Sequence, residues 1–161
     1  MASRVYLETT VLSYLVARPS RDVAVNAHQI VTKLWWERAR ERFDLVVSAV
    51  TIDEAGAGDP DVARRRLALI TGLPAVPVTL DVRNLARSLI DGGVLPAKAL
   101  ADALHLAAAA VNKVEYLVTW NLRHLAGAVT RRRLENALRD RGYEPPTICT
   151  PEELLSEPED S

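Results

Sequence analysis

Residues 96–111, Pro96-Ala97-Lys98-Ala99-Leu100-Ala101-Asp102-Ala103-Leu104-His105-Leu106-Ala107-Ala108-Ala109-Ala110-Val111, constrain the fold of this chain more than any other segment. Their apolar positions recur on nearly every face of a helix, and a helix that is apolar all round is normally buried. Asp102 lies inside that run. An ionised carboxylate buried without a partner costs several kcal/mol, so Asp102 must face a cation, a hydrogen-bond network or a solvent-filled site. A bland partner is available four residues earlier in Lys98, which an ion pair would satisfy.

The chain of 161 residues is long enough for one core of ordinary size. Short β-type runs alternate with longer helical ones, the pattern of an α/β domain layered around a mostly parallel sheet. Strands are expected at Val5-Tyr6-Leu7, from Leu45 to Ala49, at Ala75 to Val78, at Tyr116-Leu117-Val118 and at Pro146 to Cys149, about five in all. Helices are expected over Val11–Val16, from a Ser20 or Asp22 cap to about Arg42, from Thr51, over Asp61–Leu69, over Asp81–Ile90, through Asp102, and over Val129–Arg141. Thr150-Pro151-Glu152-Glu153 has the chemistry of a capped helix start. Residues 1–156 read as a single domain and 157–161 as an acidic, disordered tail.

Lys and Arg number 20 and Asp and Glu 21, so no global basic field marks a nucleic-acid binder and any such partner must be held locally. Arg64-Arg65-Arg66 and Arg131-Arg132-Arg133 scatter over helical faces and read as solvated surface. The single cysteine, Cys149, excludes an internal disulfide and thiolate-rich zinc sites and reads as a small buried hydrophobe. No apolar signal-peptide core follows Met1, and no apolar run approaches the roughly 18 residues that span a bilayer, so a cytoplasmic protein without membrane contact is expected.

In parallel α/β sheets ligands collect beyond the carboxyl ends of the strands. Glu8 follows the first strand, Glu54 lies shortly after the second, Asn121 lies just beyond Tyr116-Leu117-Val118, and Asp102 sits near the start of the helix leading into that strand. Three carboxylates and an amide oxygen at one rim would repel one another without a cation, and such oxygen ligands suit Mg²⁺ or Mn²⁺. A metal of this kind activates water and stabilises charge developing on a phosphodiester, which points to hydrolysis of a nucleic-acid backbone. Structural alternatives stand beside each assignment. Thr51-x-x-Glu54 matches a capping box, with Asp53 as the nearest substitute acid, and Asn121 suits a turn cap. Thr9 suits a turn as well as a carboxylate contact. His105, at i+3 from Asp102, is a metal ligand, a general base or a hydrogen-bonded core histidine. Arg123 and His124 are placed to touch phosphate at the mouth of the site. Trp35 and Trp36 read as core packing with one rim contact, and the absence of a Gly-rich loop after the first strand counts against a nucleotide-binding protein.

Three segments carry a resemblance to a known family. Val5-Tyr6-Leu7-Glu8-Thr9-Thr10-Val11-Leu12-Ser13 resembles the opening strand and turn of PIN domains, Ala101 to Ala107 resembles their third acidic motif, and Leu117 to Leu125 resembles the fourth. Glu54 falls where the second acid is expected. The order and spacing span essentially the whole chain and resemble the VapC-type toxins of type II toxin–antitoxin systems. The resemblance implies a three-layer α/β/α sandwich and a Mg²⁺- or Mn²⁺-dependent endoribonuclease. It also implies RNA as substrate, a small antitoxin partner and a homodimer. Carried onto this sequence, it makes Glu8, Glu54 and Asp102 the metal ligands and Asn121 the fourth catalytic position, with Thr9, Thr119, Arg123 and His124 against substrate. Two positions depart from the family pattern, since the first and fourth are usually Asp and here are Glu8 and Asn121. The alternative implied by those departures is a catalytically weak or inactive PIN-like module that binds RNA or a protein partner.

Overall fold

The computed structural model describes residues 2–155, and the expected tail at 157–161 lies outside the described residues. Strand β1 (Arg4–Leu7) is flanked by β2 (Asp44–Val46) and β3 (Tyr116–Val118), with β4 (Thr147–Cys149) beyond β3. The order β2-β1-β3-β4 is parallel throughout, with Tyr6 opposite both Val46 and Leu117. The helices are α1 (Thr9–Val16), α2 (Val23–Arg42), α3 (Ala49–Ala55), α4 (Pro60–Ile70), α5 (Leu80–Asp91), α6 (Leu100–Val111), α7 (Ala128–Asp140) and α8 (Pro151–Leu155).

Alternation along the strands divides the interior in two. Tyr6, Val46, Leu117 and Ile148 face a core shared with α5, α6 and α7, whereas Val5, Leu7, Leu45, Val118 and Cys149 face one shared with α1, α2 and α8. Both faces of the sheet are therefore covered, which is why its strands read as continuous apolar runs. Helix α6 lies inside the first core with Ala103 and Leu106 to Ala109 fully buried, as its all-round apolar pattern requires. Cys149 is buried, and Trp35 and Trp36 both belong to the second core.

The expected fifth strand is reduced to a single parallel bridge between Val47 and Ala75. Pro74 and Pro77 flank it, and a residue without an N–H cannot extend a ladder. Helix α3 also begins earlier than expected. Ser48 is its cap, and Ser48 with Thr51 forms the capping box, so Thr51 takes the N3 position of that box and Glu54 falls at the helix end. Helix α1 likewise starts at Thr9, directly after Glu8, whose side chain accepts from Thr10 N. Asp22 caps α2. The chain leaves β1 for β2 through α1 and α2 on one face of the sheet and leaves β3 for β4 through α7 on the other, and a crevice at such a switch point is where parallel sheets bind ligands.

Candidate active site

Glu8 ends β1 at that switch point, its N–H still donating to Val118 O of β3 at 3.2 Å. The residue is only 3% exposed. Its Oε2 accepts from Thr10 N at 2.9 Å, from the Thr10 hydroxyl, and from Thr119 Oγ1 at 2.8 Å across the strand gap. Among the described residues no hydrogen bond reaches Oε1. Desolvation dominates and pushes the carboxyl above the usual glutamate range, against the pull of His105 and of the hydroxyls of Thr10 and Thr119.

Glu54, on the last turn of α3, repeats the arrangement. Its Oε1 accepts from Thr9 Oγ1 at 2.7 Å and meets His105 Nε2 at 2.5 Å, while no described residue bonds Oε2. Burial again opposes ionisation, but the hydrogen bonds from His105 and the Thr9 hydroxyl outweigh it and hold the carboxyl below its usual range. The ligand-type atoms of Glu8, Glu54 and His105 all lie within 4.8 Å of one another.

Asp102 does not join that group. Its Oδ1 accepts from Asn121 Nδ2 and its Oδ2 pairs with His124 Nδ1, both at 3.1 Å. Lys98 forms no ion pair with it among the described residues. Asn121 serves two purposes at once: Oδ1 caps a π-helical turn over Leu122–Ala126 by accepting from His124 N at 3.0 Å, and Nδ2 holds Asp102. That turn, absent from the sequence reading, brings His124 back onto Asp102. It closes at Gly127, where an added Cβ would stand 2.4 Å from the Leu122 carbonyl oxygen.

The two groups are wired together through Thr119, which is fully buried, donates to Glu8 and accepts from Asn121 N at 2.9 Å. Thr9 and Thr119 thus contact carboxylates. Of the residues expected against phosphate, Arg123 is exposed and His124 is held by Asp102. Asp53, the substitute acid, is exposed outside the cluster. The participant that sequence reasoning left undecided is His105. Its signal was a titratable residue in an almost wholly apolar helix, and its partners Tyr6 and Glu54 come from two separate segments.

No family model matches the chain, and no curated protein matches it by sequence. Among solved structures, the chain is similar to one in the crystal structure of VapBC2 from Rickettsia felis bound to a DNA fragment from their promoter. The TM-score is 0.57 at 15% identity, covering 91% of this chain and 98% of that one. It also aligns with a chain of VapBC-5 from Mycobacterium tuberculosis, with a TM-score of 0.47 at 17% identity over 80% of this chain and 95% of that one. At 15% identity the first likeness is one of fold, and it agrees with the α/β architecture expected from the sequence.

Proposed function

We propose that this protein is a metal-dependent endoribonuclease and the toxin of a toxin–antitoxin pair. One observation carries the reading: two neighbouring glutamates, Glu8 buried and Glu54 half-buried, each spend one oxygen on fixed hydrogen bonds and, among the described residues, leave the other without a partner. Two carboxylates so placed favour a cation between them, and hard oxygen donors suit Mg²⁺ or Mn²⁺. Glu8 Oε1 and Glu54 Oε2 are the free donors, with Asp102 beside them through the Thr119 and Asn121 contacts. When bound, such a cation supplies Lewis-acid stabilisation of the phosphodiester and a more acidic water. The chain's own residues do the rest. Thr10 and Thr119 orient Glu8, Thr9 and His105 orient Glu54, and Asn121 locks Asp102 and His124 into one unit at the mouth. Arg123, exposed beside them, is available to phosphate.

RNA as substrate, a small antitoxin as partner, a homodimer and a cytoplasmic setting complete the proposal. Their support is the ordered motif set together with a fold shared with a VapBC2 chain. Among the described residues no helix is long and apolar enough to cross a membrane. Incubation of the purified chain with single-stranded RNA should give cleavage that needs Mn²⁺ or Mg²⁺, stops with EDTA, and falls about 10- to 100-fold or more in Asp102→Asn. Cleavage without divalent metal, or full activity in that variant, overturns the assignment.

A binding-only module is the second reading. It is favoured by the fact that both Asp102 oxygens are taken and the fourth position is an amide. Such a module shows no metal-stimulated cleavage even when Glu8→Asp and Asn121→Asp restore the usual acids, yet keeps its partner.

A further inference from the structure

His105 is fully buried and both ring nitrogens are engaged, Nδ1 with the Tyr6 hydroxyl at 2.6 Å and Nε2 with Glu54 Oε1 at 2.5 Å. The Tyr6 hydroxyl in turn lies 2.6 Å from Ser48 Oγ. A chain of hydrogen bonds therefore runs from the cap of α3, through β1 and α6, and back to the last turn of α3.

The protons in this chain can be placed. Thr51 Oγ1 is a donor on both sides, its one proton directed between the Leu7 carbonyl at 3.1 Å and the Tyr6 oxygen at 3.3 Å. Ser48 Oγ accepts from Val50 N at 3.2 Å, and among the described residues the one acceptor for its own proton is the Tyr6 oxygen. Tyr6 then donates to His105 Nδ1, and His105 donates from Nε2 to Glu54 Oε1. Run in reverse, the chain strands the Ser48 proton without an acceptor among the described residues. The reversed neutral ring also sets a bare nitrogen lone pair against the Glu54 carboxylate.

We propose that His105 is a positioning residue whose Nε2–H, its direction imposed by Tyr6 and Ser48, seizes Glu54 Oε1 and so presents Oε2 to a cation. The inference rests on the cation-site reading above and assigns the imidazole outside the ligand set. A nitrogen whose proton is committed to a carboxylate has no lone pair to coordinate a metal. The histidine is needed because Glu54 sits at a helix end with its side chain 38% exposed, where a single Thr9 hydroxyl would leave the carboxylate free to rotate.

Two measurements test it. In metal-free protein, long-range ¹H–¹⁵N spectra should show His105 protonated at Nε2 and bare at Nδ1; a proton on Nδ1 overturns the proposal. Calorimetric titration with Mn²⁺ should show His105→Phe weakened about 10- to 100-fold. His105→Gln, whose amide can accept from Tyr6 and donate to Glu54, should stay within a few-fold of the parent. Unchanged affinity in a folded His105→Phe removes the positioning role. Equal loss in both variants makes the ring a direct ligand and also overturns it. Should His105→Phe not fold, Tyr6→Phe carries the same test, with an expected loss of about tenfold, and unchanged affinity there counts against the proposal. If the parent chain does not bind Mn²⁺, the cation-site reading fails, while the tautomer spectrum still decides how Glu54 is held.

Discussion

Glu8 and Glu54 are chemically alike and respond to pH with opposite sign. Burial raises the Glu8 pKa, so the folded chain binds that proton more tightly than the unfolded chain does. Its contribution to stability is intact below the ordinary glutamate value and is lost as pH rises through the folded-state value. Glu54 is shifted down, so its contribution is present above the ordinary value and disappears as pH falls through the folded-state value. At neutral pH Glu8 is therefore the residue held at a cost. Glu8→Gln should raise the melting temperature of the metal-free protein by about 2–4 °C, the shift expected for about 1 kcal/mol in a domain of this size. The gain should shrink as pH falls from neutral through the folded-state value, where the parent carboxyl takes up its proton. Melting curves of the two proteins across that range check it, and an unchanged or lowered Tm at neutral pH contradicts the account.

Short elements set the geometry of the site, and their caps are where it is most exposed to mutation. Ser48 both caps α3 and orients the Tyr6 hydroxyl, whereas Thr79 caps α5 and has no contact with the site. Each alanine substitution should cost about 1 kcal/mol by denaturant unfolding, with Ser48→Ala the larger because a buried hydroxyl loses its donor. Only Ser48→Ala should also weaken Mn²⁺ binding. The π-helical turn offers a second test. Gly127→Ala places a methyl 2.4 Å from the Leu122 carbonyl, so the turn must open and His124 must leave Asp102. RNA cleavage should fall about tenfold or more in that variant while Mn²⁺ affinity, which depends on Glu8 and Glu54, changes less.

Across the whole molecule, the site sits where one sheet meets two cores, so its occupancy should report on global stability. A cation that binds only the folded chain stabilises it by about 2.7 kcal/mol at a concentration 100 times its Kd. Mn²⁺ should therefore raise the Tm of the parent chain, EDTA should reverse the rise, and Glu8→Gln should abolish it. A rise of equal size in Glu8→Gln would place the ion elsewhere. The near-zero net charge has a consequence at the same scale. With 20 basic and 21 acidic side chains, attraction to RNA has to come from the local surface around Arg123 and not from the field of the protein.

Much of this arrangement was legible in the linear chain. The all-round apolar pattern of 96–111 called for a largely buried helix, the alternation of short and long runs called for layers on both sides of a parallel sheet, and residues following apolar strands marked Glu8 and Asn121 as rim positions. These are properties of periodicity and solvation, which each segment carries by itself. Tertiary structure alone decided how the polar groups pair. Thr51 and Glu54 matched a capping box in sequence, yet Ser48, three residues earlier, took the cap, and its hydroxyl meets Tyr6 of β1. Asp102 and Asn121 were placed at the right edge, but Asp102 went to His124 through a π-helical turn that leaves no periodic trace. The partners of His105 lie 51 and 99 residues away along the chain, and hydrogen bonds between side chains so far apart are set by the packing of the layers, not by any local pattern.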